Sequence, residues 1–136
     1  MKFMVLIYND TAVLDGVPSP EFNATMRDCL AKADEMRHDG RLIESQMLAA
    51  ASTAKTMRVR NGRMKIVDGP FAETKEVLGG FNLIEARDMD EALEIAAQFP
   101  WARTGAIEVR AVRDIDTVRE KVGAAPFTES SRPYET

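Results

Sequence analysis

Apolar side chains fill both alternating rows of residues 2–8, with Phe3, Val5 and Ile7 on one and Met4, Leu6 and Tyr8 on the other. A strand that is apolar on both faces is covered on both, which predicts a central place in a sheet. The period changes after residue 19. Phe22, Met26, Cys29, Leu30, Ala33 and Met36 recur every three or four positions, the stripe of an amphipathic helix. Ser19 supplies an N-cap, Pro20 a first-turn residue, Glu21 early negative charge and Gly40 a left-handed stop, so the helix runs to about His38. Residues 42–47 read as a second strand. Residues 56–60 and 63–67 form a hairpin, because Asn61-Gly62 accepts the positive φ angles of a type I′ turn. Residues 81–86 read as another strand and 88–98 as a second helix, with Asp88 as N-cap, Glu91 three residues on and Pro100 as the stop. The apolar stripe of that helix is Met89, Ala92, Leu93, Ala96 and Phe99, and residues 107–112 close the regular structure as an edge-like strand.

The order strand, helix, strand, hairpin, strand, helix, strand is an α+β, ferredoxin-like layout: an antiparallel sheet with two helices on one face and an inserted β-hairpin. Two helices cover only one face. The apolar second face of residues 2–8 and 81–86 calls for a cover, and a symmetric homodimer packing sheet against sheet is the simplest one. The alternative is a monomer whose hairpin folds back over that face. Residues 1–122 make the domain. Residues 123–136 form a tail with Phe127 and Tyr134 but no period, expected to be disordered or packed on a partner chain.

Length and composition narrow the class. At 136 residues, 45% apolar and 29% charged, the chain has the size and balance of one ordinary soluble domain. No apolar run approaches the ~18 residues of a membrane span, and Asn9 and Asp10 follow the N-terminal apolar run without a cleavage signal. One Cys excludes an internal disulfide, and one Cys with one His cannot make a thiolate-imidazole zinc site, so no metal and a cytoplasmic location are expected. A net charge of −4 disfavours indiscriminate binding to nucleic acid or anionic lipid.

Candidate chemistry concentrates in residues 67–81, where Asp68-Gly-Pro-Phe71 and Gly79-Gly80 stand between strand-like segments. Gly69 before Pro70 is pushed out of the helical region, giving a tight corner. An Asp68 aimed into an apolar cleft would have its pKa raised and could act as a general acid or base; an Asx-turn is the structural alternative. Gly79 and Gly80 mark either a bulge or a place where backbone approaches a ligand. Glu73, Thr74, Lys75 and Glu76 suit a solvated rim. Tyr8 and Phe71 are candidates for an aromatic wall, and Arg103, after Trp101, for a carboxylate clamp. Around the two-residue turn Arg60 faces Arg63 and Arg58 faces Lys65, which gathers four cations on one face of the hairpin and Met57, Val59, Met64 and Ile66 on the other. Such a platform invites carboxylates of the same protein or its dimer mate, ahead of a small anion and then nucleic acid. Cys29 sits on an apolar helix face and His38 near that helix's end, so nucleophilic catalysis is poorly served. Phosphate loops and dinucleotide fingerprints are absent, and no cofactor is implied.

Asp68-Gly-Pro-Phe71, with Ala72-Glu-Thr-Lys-Glu76 and Leu78-Gly-Gly-Phe81, resembles the signature of the DGPF-domain group of YCII-related proteins. The likeness continues through Asp90-Glu-Ala92 to Ile107-Glu-Val-Arg110 and covers residues 1 to 113. The resemblance implies a dimeric α+β barrel, a cleft between sheet and helices, and small bacterial proteins often encoded near sigma factors. Relatives similar to muconolactone isomerases are thought to use a His and Asp pair in the cleft, whereas here the sole histidine is His38, in Arg37-His-Asp-Gly40. The expected function is the binding of a small organic carbonyl or carboxylate compound beside Asp68-Gly-Pro-Phe71, with cofactor-independent isomerase or lyase-type proton transfer by Asp68. The alternative is a non-enzymatic partner-binding module in sigma-factor regulation, motivated by the basic hairpin and the tail.

Overall fold

The computed structural model describes residues 1–128. Four strands, β1 (Lys2–Asp10), β2 (Leu42–Met47), β5 (Glu76–Glu85) and β6 (Gly105–Ala111), form an antiparallel sheet in the order β2-β5-β1-β6. That order, with α2 (Ser19–His38) and α3 (Met89–Ala96) as crossovers, is the ferredoxin-like arrangement the sequence predicts. β3 (Lys55–Arg60) and β4 (Arg63–Asp68) pair only with each other, in the register expected: Val59 opposite Met64, Arg58 opposite Lys65 and Arg60 opposite Arg63. Asn61 and Gly62 take φ of 52° and 74°, as the turn requires.

The inner rows of the sheet make the core. Phe3, Val5, Leu42 and Ile84 are buried against Met36 of α2 and against Ala92, Ile95, Ala96 and Phe99. Burying a side chain of this size contributes about 1.5–3 kcal/mol. Here one expectation fails: Ile95 replaces Met89 and Leu93, which remain exposed, because α3 turns a narrower and slightly rotated stripe to the sheet. Ser19 also differs. It is the first helical residue, and Pro18 occupies the cap with no side-chain hydrogen bond. At the other end Gly40 (φ 79°) closes α2 as foreseen, with the Arg41 N–H donating to the Met36 carbonyl and the Gly40 N–H to the Arg37 carbonyl. Asp88 caps α3 by accepting from the Glu91 N–H at 2.9 Å, while Glu91 returns a bond to the Arg87 N–H.

Two helices escape the sequence reading. α1 (Thr11–Asp15) is a single turn capped by Asp10, and α4 (Ile115–Val122) runs from a cap at Asp114 to a left-handed Gly123. β5 starts at Glu76, five residues before the predicted strand, so half of the 67–81 segment is sheet. Phe127 is exposed, and Tyr134 lies outside the described residues. Among the described residues no helix is long and apolar enough to cross a membrane.

Candidate functional site

The inward rows of β1 and β5 turn polar just beyond the core. Ile7 and Asn9 continue the row of Phe3 and Val5, and Asn82 and Gly80 continue that of Ile84. Opposite them α2 presents Phe22, Met26, Cys29, Leu30 and Ala33, and Phe99 and Trp101 close the end, enclosing a cavity of about 100 Å³. Leu30 and Met47, both more than half exposed, stand at its mouth. Its polar groups are few. Asn82 is buried, and its Oδ1 accepts a 2.5 Å hydrogen bond from Ser45 Oγ on the neighbouring strand β2. The Asn82 amide nitrogen and the Asn9 side chain make no hydrogen bond with another described residue, which leaves both to the cavity.

The glycine pair gives this floor its shape. Ile7 pairs with Gly80 and Tyr8 with Leu78, so Gly79 is the extra residue of a β-bulge. A Cβ on Gly79 would collide with the Asn9 amide, so the bare backbone there lets Asn9 lie across β5. A Cβ on Gly80 would meet the Gln46 carbonyl at 2.8 Å, so this glycine lets β2 pair closely with β5. Both readings of Gly79-Gly80 thus meet: the pair forms the bulge and also lines the cavity.

Among the described residues no Asp, Glu, Lys, Arg or His lines this cavity. Its single titratable group is Cys29, whose thiol is pushed up by burial, against a smaller downward pull from a hydrogen bond with Trp101. A protonated thiol on an apolar wall is a weak nucleophile. Phe22 and Trp101 pack at a ring separation of 6.2 Å and stand between this cavity and a neighbouring pocket of about 130 Å³ lined by Glu21 and Arg103.

On the opposite side of the sheet lies a larger, open cavity of about 840 Å³, walled by Tyr8, Leu78, residues 48–51, the base of the β3–β4 ribbon and Phe71. Tyr8 Oη donates to Glu108 at 3.3 Å, and its pKa is raised, first by desolvation, then by the Glu108 charge and that hydrogen bond, with Arg110 opposing. Lys55 lines the cavity and binds Asp68 Oδ1 at 2.5 Å.

A model of the YCII-related domain matches residues 1–116. The chain is a member of the YCII-related family. It is 39% identical over 112 residues to an uncharacterized protein of Rhizobium meliloti (strain 1021), covering 81% of this chain and 90% of that one. Its fold is similar to that of 5-chloro-2-hydroxyhydroquinone dehydrochlorinase (TftG) from Burkholderia phenoliruptrix AC1100, solved in complex with 2,5-dihydroxybenzoquinone, at a TM-score of 0.51 and 15% identity over 83% of this chain and 94% of that one.

In this YCII-related chain the sequence-predicted residues divide among three places. Tyr8 and Phe71 share the open cavity, Gly79 and Gly80 floor the cavity under α2, and Arg103 sits in the pocket beyond Trp101. Asp68 stands at the end of β4 with its side chain 85% exposed, so within one chain it lacks the burial that an acid–base role was expected to draw on. Gly69 takes φ 99°, open only to glycine without strain, which confirms the corner. Arg58, Arg60, Arg63 and Lys65 form no ion pair with any described residue, so no described carboxylate of the chain neutralises this platform. Arg58 instead stacks over Phe71 at 5.0 Å. His38 is exposed at the end of α2 and lines neither cavity. The residues missed were Asn9, Ser45 and Asn82. An asparagine on the inward row of a strand whose neighbours are Leu83 and Ile84 was the available signal.

Proposed function

We propose that this YCII-related protein binds a small uncharged oxygenated compound, such as a phenol or a cyclic ketone, in the cavity between the sheet and α2. The observation that carries this reading is the pairing of apolar walls with the unengaged Asn82 amide nitrogen and Asn9 side chain, on a floor where no described residue is ionised. A carboxylate entering this space would shed its hydration without meeting a cation, which is costly. A neutral hydroxyl or carbonyl oxygen meets the Asn82 and Asn9 amides directly. The geometry therefore favours the carbonyl side of the sequence expectation over the carboxylate side. The quinone held by the structurally similar dehydrochlorinase makes an oxygenated six-membered ring the natural first probe. Trp101 is the only tryptophan and lines the cavity, so its fluorescence reports occupancy. Titration with hydroquinone should give a saturable change that Asn82→Leu abolishes, and benzoate, of similar size but charged, should give none. Saturation by benzoate alone would defeat the reading.

The same proposal takes the protein to be a homodimer through the open sheet face. Met4, Leu6, Phe81 and Leu83 form an apolar row there, with Glu108 and Arg110 on adjacent positions of β6 able to pair across a two-fold axis. The lone free thiol, Cys29, supports a cytoplasmic setting.

A second reading keeps Asp68 as a proton-transfer group at the open cavity. It rests on Lys55, which lines that cavity and holds the Asp68 carboxylate. Asp68→Asn should then abolish turnover of a carbonyl substrate without changing the melting temperature, and unchanged turnover would remove this reading.

A further inference from the structure

The β3–β4 ribbon is an apolar surface without a cover. It shares no ladder with the four-stranded sheet, and an isolated two-stranded ribbon is marginally stable in water. On one side Met57, Val59, Met64 and Ile66 are all more than half exposed. The ribbon does not fold back over the open sheet face of its own chain, which is the alternative that a monomer would need.

We infer that the ribbon is a dimerisation arm whose apolar side seats on a second copy of this chain and walls the open cavity of that copy. This rests on the homodimer reading above. Two observations select a second copy as the occupant. The first is charge: residues 55–68 hold five cations and one anion, which leaves the other 122 residues with thirteen cations against twenty-one anions. The arm is thus strongly basic and the body of the same protein strongly acidic, which draws the arm of one copy to the body of another; Arg58, Arg60, Arg63 and Lys65 have no carboxylate partner among the described residues and line the face opposite the seated apolar side. The second is continuity. The open cavity joins the base of the arm, through Thr56 and Met57, to Tyr8 and Leu78 on the outward rows of the sheet. Arm and sheet therefore present one uninterrupted surface, and an isologous dimer that buries the sheet face brings each arm alongside the other subunit. The open cavity of one chain then becomes a two-chain chamber, and its missing wall is the partner's arm.

The test is sedimentation of the full chain with Val59→Ser/Met64→Ser on the arm, beside a photo-crosslinking amino acid placed at position 59 of the otherwise native sequence. Both substituted residues are exposed in the single chain, so each subunit should still fold, as far-UV circular dichroism will show. Because each change occurs twice in a symmetric dimer, the dimer dissociation constant should rise by roughly 100-fold or more. Illumination of the purified protein should give a covalent dimer, with position 59 joined to a peptide from β1 or β5 of the other chain. A wild-type protein that sediments as a monomer overturns the homodimer reading and the arm with it. A wild-type dimer whose affinity is unchanged by the arm substitutions overturns the arm alone. If the double variant fails to fold, the crosslink decides: a link within one chain, or one formed only when nucleic acid or another protein is added, overturns the inference.

Discussion

Gly79→Ala and Gly80→Ala differ by one position and should separate binding from stability. At Gly79 the new methyl would meet the Asn9 amide, the free end of a side chain that can swing away. Moving Asn9 off its rotamer costs roughly 0.5–1.5 kcal/mol, and replacing glycine in a strand returns roughly 0.5–1 kcal/mol through the unfolded chain. The net change in stability is then within about 1 kcal/mol. At Gly80 the methyl would lie 2.8 Å from the Gln46 carbonyl, a backbone atom, where ordinary contact begins at 3.4 Å. Strands β2 and β5 would have to part by about 0.6 Å, an overpacking that costs roughly 1–3 kcal/mol. Binding should rank the other way relative to stability. Gly79→Ala displaces the amide offered to the ligand, and a lost hydrogen bond of about 1 kcal/mol weakens affinity by roughly five- to tenfold. Thermal unfolding, at roughly 3–5 °C per kcal/mol for a domain of this size, and Trp101 fluorescence titration with hydroquinone measure the two effects. Equal destabilisation by both substitutions, or wild-type affinity in Gly79→Ala, would refute the placement of Asn9.

Other outcomes follow from the same geometry. Met36→Ala opens a cavity at a fully buried site and should cost roughly 2–5 kcal/mol, measured by urea unfolding. Lys55→Ala should change stability by no more than about 0.5 kcal/mol despite its short contact with Asp68, because both side chains are largely exposed, and 1 M salt should erase the difference. Asp10→Ala removes the acceptor for the Ala12 and Val13 N–H groups and the Lys75 contact at 3.4 Å, and should cost roughly 1–2 kcal/mol in the same assay. Burial raises the Cys29 pKa, so the folded state holds that proton more tightly than the unfolded chain. The thiol's contribution to stability is therefore complete below its ordinary value of 9.0 and declines as pH rises past it, and Cys29→Ala should flatten that decline in unfolding curves taken between pH 8 and 11.

Much of the fold was legible because its signals are local. The Asn61-Gly62 turn fixes the ribbon register, the stripe from Phe22 to Met36 fixes α2, and the doubled apolar rows of β1 place it at the centre of the sheet. What stayed hidden depends on partners distant in sequence. Asn82 reads as an ordinary strand residue until β2 brings Ser45 to its amide, 37 positions away. The early start of β5 was masked because Gly79-Gly80 carries a turn signal that the bulge absorbs. The corner at residues 68–71 carries the resemblance, yet Phe71 lines the open cavity, Asp68 stands exposed beside Lys55, and the two glycines of the same segment line the other cavity. A motif continuous in sequence is thus spread over the end of β4, the connection that follows it and the bulge of β5.

The most direct measurement of the central claim is a ¹H–¹⁵N correlation experiment on the backbone and side-chain N–H groups during addition of hydroquinone. The account predicts saturable shifts of the Asn9 and Asn82 amide signals and of the Trp101 indole N–H, with little change at Thr56 and Ala72 beside the open cavity. Shifts confined to Thr56, Ala72 and their neighbours, with Asn9 and Asn82 unmoved, would contradict it.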